Sequence, residues 1–296
     1  MEEKVAQKIV IDTDIGDDID DALAIALALR SPELDLIGVT TVYGRVDLRT
    51  RLALKELQVF GRADIPVATG IGKPLNRPED THVPSQTEIV KPEEKLQPQA
   101  QQGAVDLIIS AARADPKNVI LAPIGALTNA AAAISADPRL KDNLKSIVMM
   151  GGVAGEKIAE YNIACDPEAA GIVFRSGIPV TMIGLDVTMK CRMKKEEVEK
   201  IEKSKNPGTK LLAQLIHIWQ GGNIENFPVL HDPLAIAAIF DPSLVKTEKM
   251  AIEVDTGSGP ERGFTKTVSG RPNADVALEV NRDRFLRIFM ERITGV

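Results

Sequence analysis

Cysteine is scarce: 296 residues hold only Cys165 and Cys191. Two thiols cannot form a disulfide framework, and no Cys-x-x-Cys pair offers zinc spacing, so a reducing cytoplasm is the expected compartment. Aromatic residues are equally sparse, with one Trp, two Tyr and seven Phe. A surface that stacks along single-stranded nucleic acid is excluded. Positive charge is in deficit, 36 Lys and Arg against 42 Asp and Glu, giving a net charge of −6. That balance argues against a phosphate-coating, nucleic-acid-binding surface. No run approaches the about 18 apolar residues of a membrane span, so no membrane partner is expected. The acidic start runs straight into a strand pattern and does not read as a signal peptide. What remains is 44% hydrophobic and 26% charged, the profile of an ordinary globular protein.

Short apolar runs alternate with amphipathic stretches over the first 190 residues. Strands are expected over residues 8–11, 36–41, 67–69, 119–122, 147–150 and 180–183. Helices are expected over 20–30, 48–60, 104–114, 127–136 and 167–176. This alternation predicts an α/β fold with a mostly parallel central sheet, Rossmann-like, with helices on both faces. Ligands in such sheets collect beyond the carboxyl ends of the strands. Residues 70–98 carry five prolines and no helical or strand period, which marks a binding loop. Further on come helices over 194–203 and 211–220, a second site loop over 221–230, and a helix over 233–240. An alternating stretch over 274–280 reads as a late, antiparallel strand, with a closing helix from about residue 282. No repeat or linker divides the chain, so residues 1–296 are expected to form one domain.

The densest chemistry follows the first strand. Asp12, Asp14, Asp17, Asp18, Asp20 and Asp21 fall within ten positions. Asp18 or Asp20 would serve as an N-cap and complement the helix dipole, but six acids exceed that need. Crowded carboxylates repel one another, and a hard cation with oxygen ligands, Ca²⁺ or Mg²⁺, relieves this. An EF-hand loop is the weaker reading, because Leu23 stands at the twelfth position where such a loop carries glutamate. An aspartyl-phosphate phosphatase would use Asp12 as nucleophile but needs none of the later acids.

Two further clusters stand out. Glu160 and Asn162 flank Tyr161 at a spacing that suits hydrogen bonds to sugar hydroxyls, upstream of Asp166-Pro167-Glu168, a strong helix start. His231 and Asp232 precede Pro233, where Asp232 would simply cap the next helix.

Taken together these segments resemble the inosine–uridine-type nucleoside hydrolases. The matching residues are the Asp12–Ala22 motif, Thr40-Thr41-Val42-Tyr43-Gly44, Ile124-Gly125-Ala126-Leu127-Thr128-Asn129 and Met150-Gly151-Gly152. Glu160-Tyr161-Asn162, Asp166-Pro167-Glu168-Ala169-Ala170, Leu185-Asp186-Val187-Thr188 and His231-Asp232 complete the set. The resemblance implies the nucleoside hydrolase fold, one bound Ca²⁺, hydrolysis of ribonucleosides to base and ribose, and a homodimer or homotetramer. It casts Asp14 as metal ligand and water-activating base, Asp21 and Asp232 as metal ligands, and Ile124 as a main-chain carbonyl ligand. Asp20 would bond the ribose 2′-hydroxyl, Glu160 and Asn162 the 5′- and 3′-hydroxyls, and His231 would protonate the leaving base. Phe227, Trp219 and the 70–98 loop, with its single histidine His82, would enclose the base.

The pattern has departures. The aspartate motif is two residues longer than the commonest form, which leaves Asp18 competing with Asp20 and Asp21 for their roles. Arg45 and Ala154 stand where asparagines are common, and the loop 70–98 lacks a His-Gly signature. Arg45 would meet an anionic 5′ group of a nucleoside 5′-phosphate, or pair with Asp47 and face solvent. A modified nucleoside, or a non-catalytic ribose-binding role, also remains open.

Overall fold

The computed structural model describes residues 5–96 and 100–295. Strand β1 (Gln7–Thr13) leads to α1 (Asp20–Leu29), and β2 (Leu34–Thr41) to α2 (Val46–Val59). Then come β3 (Val67–Thr69), α3 (Ala104–Ala114), β4 (Val119–Pro123), α4 (Thr128–Ala136) and α5 (Leu140–Asn143). The middle of the chain holds β5 (Ser146–Met150), α6 (Tyr161–Cys165), α7 (Pro167–Phe174), β6 (Val180–Ile183) and α8 (Leu185–Thr188). Helices α9 (Lys195–Glu202), α10 (Pro207–Gln220) and α11 (His231–Phe240) follow. The described chain closes with β7 (Val245–Val254), β8 (Thr265–Val268), β9 (Ala274–Val280) and α12 (Arg282–Thr294).

The nine strands form one sheet in the order β3-β2-β1-β4-β5-β6-β9-β7-β8. All pairs from β3 to β9 are parallel, while β7 runs antiparallel to both β9 and β8. The late strand is therefore parallel to β6 and antiparallel only to β7, which corrects a purely antiparallel expectation for residues 274–280. Strands β7 and β8 were not foreseen, because β7 begins with the exposed, charged residues Lys246, Glu248 and Lys249 and mimics a loop.

The period of two along each central strand explains why both faces are covered. Ile9 and Ile11 of β1, Ile120 and Ala122 of β4, and Val148 and Met150 of β5 belong to one core. Their neighbours Val10, Leu121, Ile147 and Met149 belong to the other. Helices α1, α10, α11 and α12 contribute to the first layer, α3, α4 and α7 to the second. Helix α1 is buried from Asp20 to Ala28, as its apolar circumference requires.

The strand order reverses between β1 and β4, whose carboxyl ends lie side by side with Asp12 opposite Pro123. Such a switch point opens a crevice for a ligand. The segment over 70–98, whose residues 97 and 98 lie outside the described ones, folds over that end of the sheet. It is not structureless as expected: Ser85–Ile89 forms a 3₁₀ turn. There Gln86, fully buried, takes the Gly16 carbonyl on its backbone N–H, and its side chain donates to the carbonyls of Asp17 and Asp18. Among the described residues no helix is long and apolar enough to cross a membrane.

Candidate active site

A cavity of about 280 Å³ occupies the switch point. Asp14, Asp17, Asp18, Asp20 and Asp21 line one side, and Ile124, Met150, Glu160 and Asn162 the floor. Leu185, Met189, Tyr161, Ala159, His231 and Asp232 complete it. A larger groove of about 790 Å³ between α9 and α12 is bordered by lysines and arginines, away from the strand ends, and gathers no comparable carboxylate set.

The carboxylates come from three chain segments. Asp14 follows β1 directly and packs against Gly125, where a Cβ would lie 2.5 Å from Asp14 Oδ1, so only glycine fits. Asp20 and Asp21 open α1, and Asp232 lies in the first turn of α11. The two helix starts meet: the Asp232 N–H donates to Asp20 Oδ2 at 3.3 Å. Both present the positive end of their dipoles to the acids. The N-cap of α1 is Ile19 and that of α11 is Leu230, neither with a side-chain cap. The capping explanation for Asp20 and Asp232 is therefore set aside. Asp18 does accept the Ile19 N–H at 2.7 Å, and Asp166 caps α7, also bonding Thr128 and the Leu75 N–H.

Asp20, Asp21 and Asp232 each place an oxygen within 4.8 Å of the others. Oxygens on opposite sides of a Ca²⁺ ion stand about 5 Å apart, so this spacing fits a hard cation. The energetics fit too. Burial, and then Asp18 and Asp21, raises Asp20 well above the usual carboxylate range; burial and Asp14 do the same to Asp21, and burial and Asp20 to Asp232. Asp14 rises to about 6, mainly through burial. A cation would remove this penalty.

Sequence reasoning missed the one buried cation of the cluster, Arg49 on α2. Its side chain bonds the carbonyls of Asp14, Ile15 and Tyr43 and pairs with Asp17 at 2.8 Å. Burial works against its charge, but Asp14 and Asp17 outweigh it and hold Arg49 above its ordinary value. The signal was faint, an arginine on an otherwise amphipathic helix. The Tyr43 carbonyl reaches Arg49 because Tyr43 adopts φ 66°, a left-handed conformation rare outside glycine.

Glu160 is the N-cap of α6, not part of an alternating strand. It accepts the N–H groups of Gly152, Asn162 and Ile163 at 2.9, 2.9 and 3.1 Å. Asn162 Nδ2 donates to the Ile124 carbonyl at 2.7 Å, so these two residues meet directly. His231 Nδ1 lies 2.7 Å from Thr188 Oγ1. Burial, helped by Arg192, lowers His231 to about 4, so the ring is neutral at neutral pH.

Several expected residues lie elsewhere. Arg45 forms a bidentate pair with Asp47 at 3.0 and 2.8 Å, half exposed, and does not line the cavity. No described lysine or arginine lines it, so a 5′-phosphate finds no cation there. Trp219 and Phe227 are half-buried against the core and do not line the cavity. His82 is exposed at the rim, its Nε2 3.3 Å from Asp17 Oδ1. The apolar wall is instead Tyr161, Leu185 and Met189, with Tyr161 edge-on to Tyr43 at 6.3 Å. Asp12 is fully buried and absent from the cavity lining, bonded to Thr40 and Asn129. No substrate reaches it, which removes the phosphatase alternative.

This arrangement of fold and site is that of a ribonucleoside hydrolase, an enzyme that cleaves the N-glycosidic bond. The chain belongs to the family described as inosine-uridine preferring nucleoside hydrolase, matched over residues 9–287. It is 36% identical to the pyrimidine-specific ribonucleoside hydrolase RihA of Shewanella sp. strain MR-7, over 98% of this chain and 96% of that one. The RihA of Photobacterium profundum is 37% identical over 98% and 100%. Among solved structures, the plant nucleoside hydrolase PpNRh1 superposes with a TM-score of 0.89 at 30% identity, covering 99% of this chain and 100% of that one. The purine-preferring ribonucleoside hydrolase of Gardnerella vaginalis gives 0.87 at 33%, covering 98% of both.

Proposed function

We propose that this enzyme is a calcium-dependent hydrolase of ribonucleosides, pyrimidine ribonucleosides first. The observation that carries it is the convergence of Asp14, Asp20, Asp21 and Asp232, all buried, beside His231 at the sheet's switch point. The pyrimidine preference is supported by the names of the relatives at 36–37% identity.

Asp14, Asp21, Asp232 and the Ile124 carbonyl would hold Ca²⁺, with Asp20 next to them. When bound, the ion neutralises the carboxylates, orients water and lowers its pKa. Asp14 accepts the proton of the attacking water. Asp20 bonds the 2′-hydroxyl, Asn162 Oδ1 the 3′-hydroxyl and Glu160 the 5′-hydroxyl. The surrounding carboxylates stabilise positive charge as the C1′–N bond breaks through an oxocarbenium-like state. His231 faces the departing base, and Tyr161, Leu185 and Met189 shield it from water. Asp18 and His82 act at the rim and not on the sugar. The enzyme works as a single-domain homodimer or homotetramer in the cytoplasm, a compartment supported by two buried, unpaired cysteines.

Free-ribose release from uridine, cytidine, inosine and adenosine, and from their 5′-monophosphates, tests this. Ribose from uridine and cytidine ahead of the purines, and little from the monophosphates, is expected. Faster turnover of the purines would overturn the pyrimidine assignment, and ribose 5-phosphate would overturn the nucleoside one.

A further inference from the structure

His231 has a neighbour whose hydrogen bond is not needed to hold the fold's backbone. Thr188 closes the short helix α8, is fully buried, and its Oγ1 lies 2.7 Å from His231 Nδ1. A hydroxyl carries one hydrogen, and a neutral imidazole carries one on either Nδ1 or Nε2. Among the described residues Thr188 Oγ1 has no hydrogen-bond partner besides His231. Were Nδ1 the donor, the hydroxyl hydrogen would be left buried with no acceptor, and an unmade buried donor costs more than a made hydrogen bond gains. Only the opposite arrangement satisfies both groups: Thr188 donates, Nδ1 accepts, and the ring hydrogen sits on Nε2. The ring lines the cavity, and Nε2 has no protein partner among the described residues.

We propose that Thr188 is a positioning residue for hydrolysis: its hydroxyl fixes His231 as the Nε2–H tautomer, so that the imidazole offers the departing base a hydrogen-bond donor and not a lone pair. This rests on the placement of His231 against the base proposed above. As the C1′–N bond breaks, its electron pair moves onto the base and the water oxygen bonds to C1′. The Nε2–H hydrogen bond steadies the negative charge without leaving the ring. The base takes a proton from solvent once free, and Asp14 returns to solvent the proton it accepted. Discrimination then follows from geometry: a base whose acceptor atom faces Nε2 is favoured over one that presents a donor there.

The chain has three histidines, His82, His217 and His231, so the tautomer can be read directly. Long-range ¹⁵N–¹H correlation on calcium-loaded enzyme labelled in histidine is the measurement, with His82→Gln and His217→Gln assigning His231 by elimination. The expected spectrum shows His231 as Nε2–H in the wild type and in Thr188→Ser. In Thr188→Val the signal shifts toward the other tautomer, and kcat on uridine falls on the order of tenfold with KM little changed, as for loss of a group that orients a catalytic imidazole. Thr188→Ser restores kcat. A wild-type His231 found as Nδ1–H or doubly protonated, or a Thr188→Val enzyme with unchanged tautomer and kcat, overturns the proposal. If Thr188→Val does not fold, the wild-type and Thr188→Ser spectra still decide it. Because the spectrum needs no turnover, failure of ribose release would sink the substrate assignment without altering the tautomer result.

Discussion

Asp14 owes its raised titration to its surroundings. Burial raises it to about 6, Arg49 pulls it back, and Gly125 lets the carboxylate sit against the backbone. Replacing Asp14 with Asn keeps the shape and removes the proposed proton acceptor. We expect kcat on uridine to fall by roughly 10²–10⁴-fold with the fold retained, measured as initial ribose release beside a circular dichroism spectrum. Arg49 is the contrasting case, a cation whose loss leaves buried acids uncompensated. Arg49→Met should destabilise the metal-free protein by about 3–5 kcal/mol in urea unfolding, with part of the loss recovered in excess calcium. Arg45, for all its prominence in the sequence, pairs with Asp47 at the surface. Arg45→Ala should therefore leave both nucleoside turnover and the urea unfolding midpoint unchanged. The acids were legible as a group because six carboxylates in ten positions admit few explanations. Arg49 was not, since its side chain serves backbone carbonyls that no sequence pattern displays.

At the scale of elements, the site depends on where β1, α1, β4 and α11 end or begin. Strands β1 to β6 were legible because their apolar runs are buried on both faces. Strand β7 was not, because four of its first six residues are polar or charged. The loop over 70–98 was recognisable from its prolines, yet its working contact was hidden: Gln86 reaches under the aspartate segment to the carbonyls of Asp17 and Asp18. That bond supports the inserted residues that lengthen the motif. Gln86→Ala should weaken calcium binding by about tenfold, the usual cost of losing an outer support of a metal site, as read by calorimetric titration. Unchanged affinity would show that the loop holds the substrate end alone. Phe227 and Trp219 were misplaced because apolar side chains near a site loop look alike in sequence whether they face the cavity or the core.

Over the whole molecule, the cavity gives stability an unusual pH dependence. Asp12, raised to about 7, Asp14, raised to about 6, and Asp20, Asp21 and Asp232 all hold protons more tightly folded than unfolded. Glu56, buried with neither oxygen partnered among the described residues, joins them. With unfolded values near about 4, these groups make the metal-free protein lose stability as pH rises through about 4 to 7. His231, lowered to about 4, works the other way below about 6.5, while Asp18 and Glu160, also raised by burial, add to the carboxylates. Thermal unfolding of calcium-stripped protein should show Tm falling by roughly 5 °C or more from pH 5.5 to 8, and calcium should flatten the slope. A Tm that rises over that range without calcium would mean that these carboxylates are not paired against one another as described.

The most direct test of a calcium-dependent hydrolase is a single reversible experiment on uridine. Ribose release is followed in the purified enzyme, after removal of bound metal with a chelator, and after calcium is restored in excess. Calcium dependence predicts release that stops on chelation and returns with calcium, while Asp21→Asn enzyme stays inactive throughout. Undiminished release from the metal-free enzyme would contradict it.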